Sequence, residues 1–119
     1  MGFTYAKVLI CNPTEEEKRQ ELELLVDTGA LMSVVPAQIL KELEIKPLGK
    51  QRFRAFGGGI IERDVGIALI KYEDRFRGDT IAFGEKDDAP LLGVITLEGL
   101  GYQVDPVTKK LKRVDLLML

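Results

Sequence analysis

Most of this chain reads as short runs in which apolar and polar positions alternate, the pattern of strands with one buried face. "FTYAKVLI" (Phe3 to Ile10) is the first such run and "ELELLVD" (Glu21 to Asp27) the second. Between them "CNPTEEEKRQ" is polar and contains Asn12-Pro13, so it predicts a turn or an extended hairpin loop. "PAQILKELEI" is the first helix candidate: Pro36 suits a first helical turn, and Ile39, Leu40 and Leu43 fall on one face. "KQRFRAF" (Lys50 to Phe56) returns to alternation, and "IIERDVGIALIKY" follows as a long strand. The three glycines between them, Gly57 to Gly59, predict a hairpin tip.

"RFRGDTIAF" (Arg75 to Phe83) predicts a further strand and "GEKDDAP" a loop. "LLGVITLEGLG" starts as a short apolar strand and turns helical after Gly93. "YQVD", Pro106 and "KKLKRVDLLML" predict a closing hairpin and an apolar C-terminal strand. About seven strands and two short helices make a small, mainly β domain, a closed or partly open barrel. No repeat, linker or low-complexity stretch divides residues 1–119, so a single domain is expected.

Composition narrows the chemistry. Apolar residues at 45% and charged residues at 30% suit a globular chain rather than a disordered one. The net charge is −2, and Lys109, Lys110, Lys112 and Arg113 form only a short mixed run, so nucleic acid is not an expected partner. There is no apolar run of membrane-spanning length and no signal-peptide pattern, and Ala6 stands where a myristoylation motif has Ser or Thr. No membrane partner and a cytoplasmic location are therefore expected. The chain has no histidine and one cysteine, Cys11. Common metal sites and imidazole-based nucleophilic catalysis are improbable on that ground, and Cys11 reads as a small packed residue. No metal or other cofactor is expected. Carboxylates, lysines, tyrosines and hydroxyls remain.

One carboxylate is out of place. In "ELLVDTGALMSVVP" Asp27 interrupts an apolar run, and an unpaired buried charge is costly. Either Asp27 caps its own turn at an exposed strand end, or its carboxylate serves chemistry. Gly29 permits a sharp turn, and Thr28 adds a hydroxyl on a stiff β-branched side chain.

"LLVDTGALMSVVP" resembles the active-site segment of retropepsin-like aspartic proteases, in which hydrophobic residues lead into Asp-Thr-Gly-Ala. "AFGGGIIE" resembles the family's glycine-containing flap, and "LLGVITLEGLGYQVDPVTKKL" its later apolar-apolar-glycine segment. Order and spacing agree over about residues 4 to 112, and the chain is most similar to the small cellular, single-domain members. The resemblance implies one lobe per chain and an aspartic endopeptidase acting on peptide or protein substrates. Two carboxylates at close range cannot both ionise, so one serves as base and the other as acid, a rule of which aspartic proteases are the standing example. This chain has one Asp-Thr-Gly: Asp79-Thr80 continues into Ile81. The resemblance therefore implies a homodimer with Asp27 from each copy as the catalytic pair. It also implies that Thr28 bonds across the two-fold axis, and that Gly29 and Ala30 line the floor. Phe56, Gly57, Gly58 and Gly59 would close over an extended peptide.

The chain departs from the viral pattern in its three consecutive glycines, in the bulkier Leu31-Met32-Ser33, and in the polar insertion Asn12 to Gln20. A protease-like homodimer that binds extended peptides or serves assembly without efficient cleavage is the alternative function. An unrelated β-barrel with a chance Asp-Thr-Gly is a third. Arg52, Arg54, Glu62 and Arg63, which flank the tip, read as a solvated hairpin face in preference to a set that selects substrate charge. Residues 114–119, with their apolar end "LLML", read as a core strand or a dimer strand, and both stay open.

Overall fold

The alternating register of the first strand sets the core. In β1 (Tyr5–Asn12), Ala6, Val8 and Ile10 point inward and are buried while Tyr5 and Lys7 face out. The computed structural model describes residues 2–55 and 57–118. After β1 come β2 (Glu15–Val26), β3 (Val34–Pro36), α1 (Ala37–Glu42), β4 (Gly49–Arg54), β5 (Ile60–Tyr72) and β6 (Arg75–Gly84). The chain ends with β7 (Leu91–Leu92), α2 (Val94–Gly99), β8 (Tyr102–Val104) and β9 (Leu111–Arg113). Strands hold 52% and helices 10%, so the protein is a single, mainly β domain with two short helices. No helix among the described residues is long and apolar enough to cross a membrane.

One seven-stranded sheet runs in the order β1-β2-β7-β3-β6-β5-β4, and β8 and β9 form a separate pair. β1 also pairs with β5, Leu9 opposite Lys71 to Cys11 opposite Leu69, which brings the sheet back on itself. Most neighbours are antiparallel, but β2 runs parallel to β7 and β3 parallel to β6. The residues enclosed by the sheet and helices include Ile10, Leu24, Leu40, Ile70, Ile81 and Leu92, all essentially without solvent contact. Cys11 is buried with them, and burial pushes its thiol up, away from the reactive thiolate.

Three expectations need correction. The polar run Glu15 to Gln20 is not a loop: it is the first half of β2, with Gln20 opposite Ile10, Arg19 opposite Cys11 and, past a register shift, Glu15 opposite Asn12. Its side chains face solvent, so it lacks an apolar alternation, while its backbone completes the β1 ladder. The Asn12 side chain holds the turn: Oδ1 accepts from the Thr14 and Glu15 amides at 3.0 and 3.2 Å, and Nδ2 donates to the Leu43 carbonyl at 2.9 Å. Second, Val34–Pro36 forms a strand that the apolar run did not announce, with Pro36 just ahead of α1 rather than inside it. Third, no strand covers 114–118. Leu116, Leu117 and Met118 are 63%, 88% and 98% exposed, so the described tail is no core strand. The Arg75 guanidinium fixes the tail's start, with Nη1 donating to the carbonyls of Gly101 and Val114 at 2.8 Å.

The tip-bearing hairpin β4–β5 is tied down at its base. Arg63 on β5 grips Asp88 with Nε to Oδ2 at 2.6 Å and Nη2 to Oδ1 at 3.0 Å, and Asp88 also accepts from the Glu85 amide. The Arg63 guanidinium holds the Asp88 carboxyl below its ordinary value near 3.8. A depressed folded-state pKa stabilises the fold at every pH above the unfolded value, and the contribution fades as pH falls through the folded value. Asp88→Asn is therefore expected to cost about 2 kcal/mol at neutral pH. In urea titrations that gap should stay constant near neutrality and narrow below about pH 4.

Candidate functional site

Asp27 is the first residue beyond β2, and three backbone contacts fix it there. The Val26 amide donates to Thr4 at 2.8 Å, the Asp27 amide donates to the Leu92 carbonyl at 3.0 Å, and the Ala30 amide returns to the Asp27 carbonyl at 3.2 Å. Asp27 as a residue is half-buried, and the hydrogen bond its carboxylate makes is exposed. Its Oδ1 accepts from the Gly29 amide at 2.9 Å, and Oδ2 has no hydrogen-bond partner among the described residues. The first contact is the self-capping turn that a strand-end aspartate makes. A Cβ at Gly29 would lie 3.2 Å from Oδ1, a tight contact to which the carboxylate would have to yield by a few tenths of an ångström.

Behind this turn the loop 28–33 rests on the β7–α2 junction. A Cβ on Gly93 would stand 2.6 Å from the Met32 carbonyl carbon and 2.7 Å from the Leu31 oxygen, both rigid backbone. The Val94 amide donates to Ala30 at 2.8 Å and the Ile95 amide to Leu31 at 3.3 Å. A buried side-chain relay adds to these. The Gly93 amide donates to Ser33 Oγ at 2.9 Å, Ser33 donates to Thr96 Oγ1 at 3.0 Å, and Thr96 donates to Asp79 Oδ2 at 2.8 Å. Arg77 Nε closes the chain on Asp79 Oδ1 at 2.8 Å. An amide at one end can only donate and a carboxylate at the other can only accept, so every hydroxyl in between has one allowed orientation. No buried side-chain nitrogen or oxygen among the described residues lacks a partner.

In front of Asp27 lies an open cleft of about 1000 Å³. Asp27, Gly29, Ala30, Leu31 and Met32 form its floor with Leu91, and the β4–β5 hairpin forms its other wall from Gln51 through Ala55 to Gly57 and Gly58. The hairpin tip is closed by the Ala55 amide on the Gly59 carbonyl at 2.6 Å and the Gly58 amide on Ala55 at 2.9 Å. Gly57 and Gly58 have φ of +100° and +99°, a backbone that side-chain-bearing residues rarely adopt.

Of the residues singled out in the sequence, the cleft brings together Asp27, Gly29, Ala30, Gly57 and Gly58. Gly59 sits at the base of the tip turn. Thr28 is exposed and does not line the cleft. Phe56 lies outside the described residues. Missing from the sequence reading were Ser33, Thr96, Asp79 and Arg77. They come from three separate stretches of the chain, and only the "LLG" segment pointed to that region. Also missed was the split among the flanking charges. Arg52 and Arg54 line the cleft, whereas Arg63 turns away to Asp88. Among the described residues no group of three or more Cys, Asp or Glu side chains is placed to hold a metal ion.

No family model, no curated protein and no solved structure matches this chain.

Ser33→Ala would leave the Gly93 amide buried without its acceptor, at an expected cost of about 1–3 kcal/mol. Gly93→Ala would force two backbone segments apart and should cost more, about 3 kcal/mol. Urea unfolding measures both. Unchanged midpoints would mean that the loop under Asp27 is held by something other than this contact.

Proposed function

We propose that this chain is one lobe of a retropepsin-like aspartic endopeptidase, and that two copies build the active site about a two-fold axis. The observation that carries the reading is Asp27 on the floor of a cleft whose opposite wall is a glycine-tipped hairpin. The β1–β5 pairing, which turns the sheet back on itself, supports a barrel of that type. The apolar-apolar-glycine junction under the Asp27 loop supports it as well.

On this reading each copy contributes one Asp27 carboxylate, oriented through Oδ1 by its own Gly29 amide and open at Oδ2. Side by side, the two share one proton. The ionised one removes a proton from water, whose oxygen attacks the peptide carbonyl carbon. The protonated one gives its proton to the carbonyl oxygen, and a neutral tetrahedral diol forms. Collapse returns a hydroxyl proton to the base, delivers a proton to the amide nitrogen, breaks the C–N bond and releases acid and amine. Thr28, exposed in the single chain, bonds across the axis, and Ala30 with the hairpin tip aligns the substrate main chain. The apolar tail, which has no place in the core, is assigned to the contact between copies. A buried, unpaired Cys11 suits a reducing compartment, and the reading includes a cytoplasmic location.

Sedimentation at micromolar concentration should give a dimer, and purified protein should cleave unfolded protein substrates at mildly acid pH. Asp27→Asn should lower that cleavage at least about a thousandfold with the fold unchanged, because a neutral amide cannot activate water. A strict monomer, or undiminished cleavage by the variant, would defeat the reading. Peptide binding by a dimer that never cleaves would leave it a peptide-binding assembly.

The hairpin tip gives a second test. Hydrogen exchange at Gly57, Gly58 and Gly59 should be fast in the free protein and slow with a peptide-like aspartic-protease inhibitor. Gly58→Val places a β-branched residue at φ +99° and should impair turnover more than global stability. Equal exchange at the tip with and without bound inhibitor would show that something else covers the cleft.

A further inference from the structure

Four charged residues flank the hairpin tip, and the structure divides them. Arg63 is spent on Asp88, with Glu85 at 3.7 Å, and Lys50 at the hairpin's far end pairs with Asp64 at 2.8 Å. Glu62 stands opposite Arg52 in the ladder but does not line the cleft, and no ion pair joins the two. Arg52 and Arg54 are exposed, line the cleft and have no carboxylate partner among the described residues. Among the described residues, the only other charged group lining that cleft is Asp27. Two cations against one carboxylate make the cleft locally positive in a chain whose net charge is −2. A concave wall focuses such a field on whatever binds there.

The backbone says how an occupant would lie. β4 is the last strand of its sheet and, among the described residues, pairs only with β5, so its other edge is open. Successive side chains of a strand point to opposite faces. Five consecutive residues, Gln51 to Ala55, all line the cleft, so the cleft follows the free edge of β4 rather than one of its faces. An extended peptide pairing along that edge would present its side chains with the same period of two. Arg52 and Arg54, two residues apart, share one face and would meet alternate side chains of the peptide.

We propose that Arg52 and Arg54 determine specificity, and that the cleft selects extended peptides carrying acidic side chains at alternate positions. The inference rests on the reading of this cleft as a peptide site. Carboxylates suit it because a guanidinium fork binds them with two parallel hydrogen bonds.

Binding separates this from catalysis. The Asp27→Asn protein keeps the shape of the cleft without hydrolysing its ligand. Three fluorescein-labelled peptides share one apolar frame and carry Glu-x-Glu, Gln-x-Gln or Lys-x-Lys. Fluorescence anisotropy at low salt should rank them in that order, with the Glu peptide about tenfold tighter than the Lys peptide. The difference should shrink in about 1 M salt, where charges are screened within a few ångströms. Arg52→Gln with Arg54→Gln should remove the preference, and Arg52→Glu with Arg54→Glu should invert it. Equal binding of the Glu and Lys peptides, no peptide binding, or an unaltered ranking in both double variants would overturn the proposal. Cleavage of both peptides at equal rates by the wild type would likewise overturn it while leaving the endopeptidase standing. A Glu preference in binding with no cleavage by the wild type would sink the endopeptidase alone.

Discussion

A side chain as small as a methyl group on Gly93 would stand 2.6 Å from the Met32 carbonyl carbon, and that near-contact is what the candidate site is built on. Because Gly93 has no Cβ, the loop after Asp27 can lie directly on the β7–α2 junction. Only at that distance can the Val94 and Ile95 amides reach the carbonyls of Ala30 and Leu31. Those are amides at the start of a short helix, which has no partners for them within itself and no side-chain cap. The loop carbonyls therefore satisfy the helix start, and the helix start fixes the loop. Asp27 inherits its position from this mutual dependence, one residue before the loop and bonded through its own amide to Leu92, one residue before Gly93.

The relay through Ser33, Thr96, Asp79 and Arg77 makes that arrangement single-valued. An apolar filling of the same space would pack, but it would leave the Gly93 amide without an acceptor. Polar groups in a core are costly only while unpaired, and here each link is 3.0 Å or shorter. The far end of the relay is on β6, which pairs with β3 on one side and β5 on the other. Hence the same strand that holds Asp79 also braces β5, and through it the hairpin wall of the cleft. Floor and wall are positioned by one connected set of contacts.

How much of this could be read in advance differed from element to element. β1 was legible because buried and exposed positions alternate through its first half, and β5 and β6 because they are long, apolar-rich runs bounded by turns. The first half of β2 was not, because both its faces are polar and only its backbone pairing makes it a strand. β3 is too short to show any period and is held by a parallel partner distant in the chain, whereas the equally short β7 showed itself as the apolar pair ahead of Gly93. The tail misled in the opposite direction. "LLML" looks like a strand by composition, yet its described residues have nothing to pair with in this chain. For the site, Asp27 and the glycines announced themselves by being the wrong residue types for their surroundings. Ser33 and Thr96 did not, since a hydroxyl residue beside an apolar run gives no sign of facing another more than sixty positions away.

The two walls of the cleft differ in a way that bears on what it can do. The floor is fixed by backbone packing and a fully paired relay. The tip of the opposite wall rests on two short turn contacts and on glycines at positive φ, with open space where their side chains would be. A rigid floor keeps a carboxylate oriented, whereas glycines with open space around them leave the tip few packing contacts. Yet the floor is incomplete in one respect. Asp27 has no cation at ion-pair distance among the described residues and no second carboxylate lining its cleft, and its Oδ2 is left open. A lone carboxylate can take up a proton but cannot give one back from a second site in the same step. Among the described residues lining the cleft, none offers a second carboxylic acid for such chemistry on a peptide bond. A second copy, as proposed above, would bring one with the same orientation and the same open oxygen.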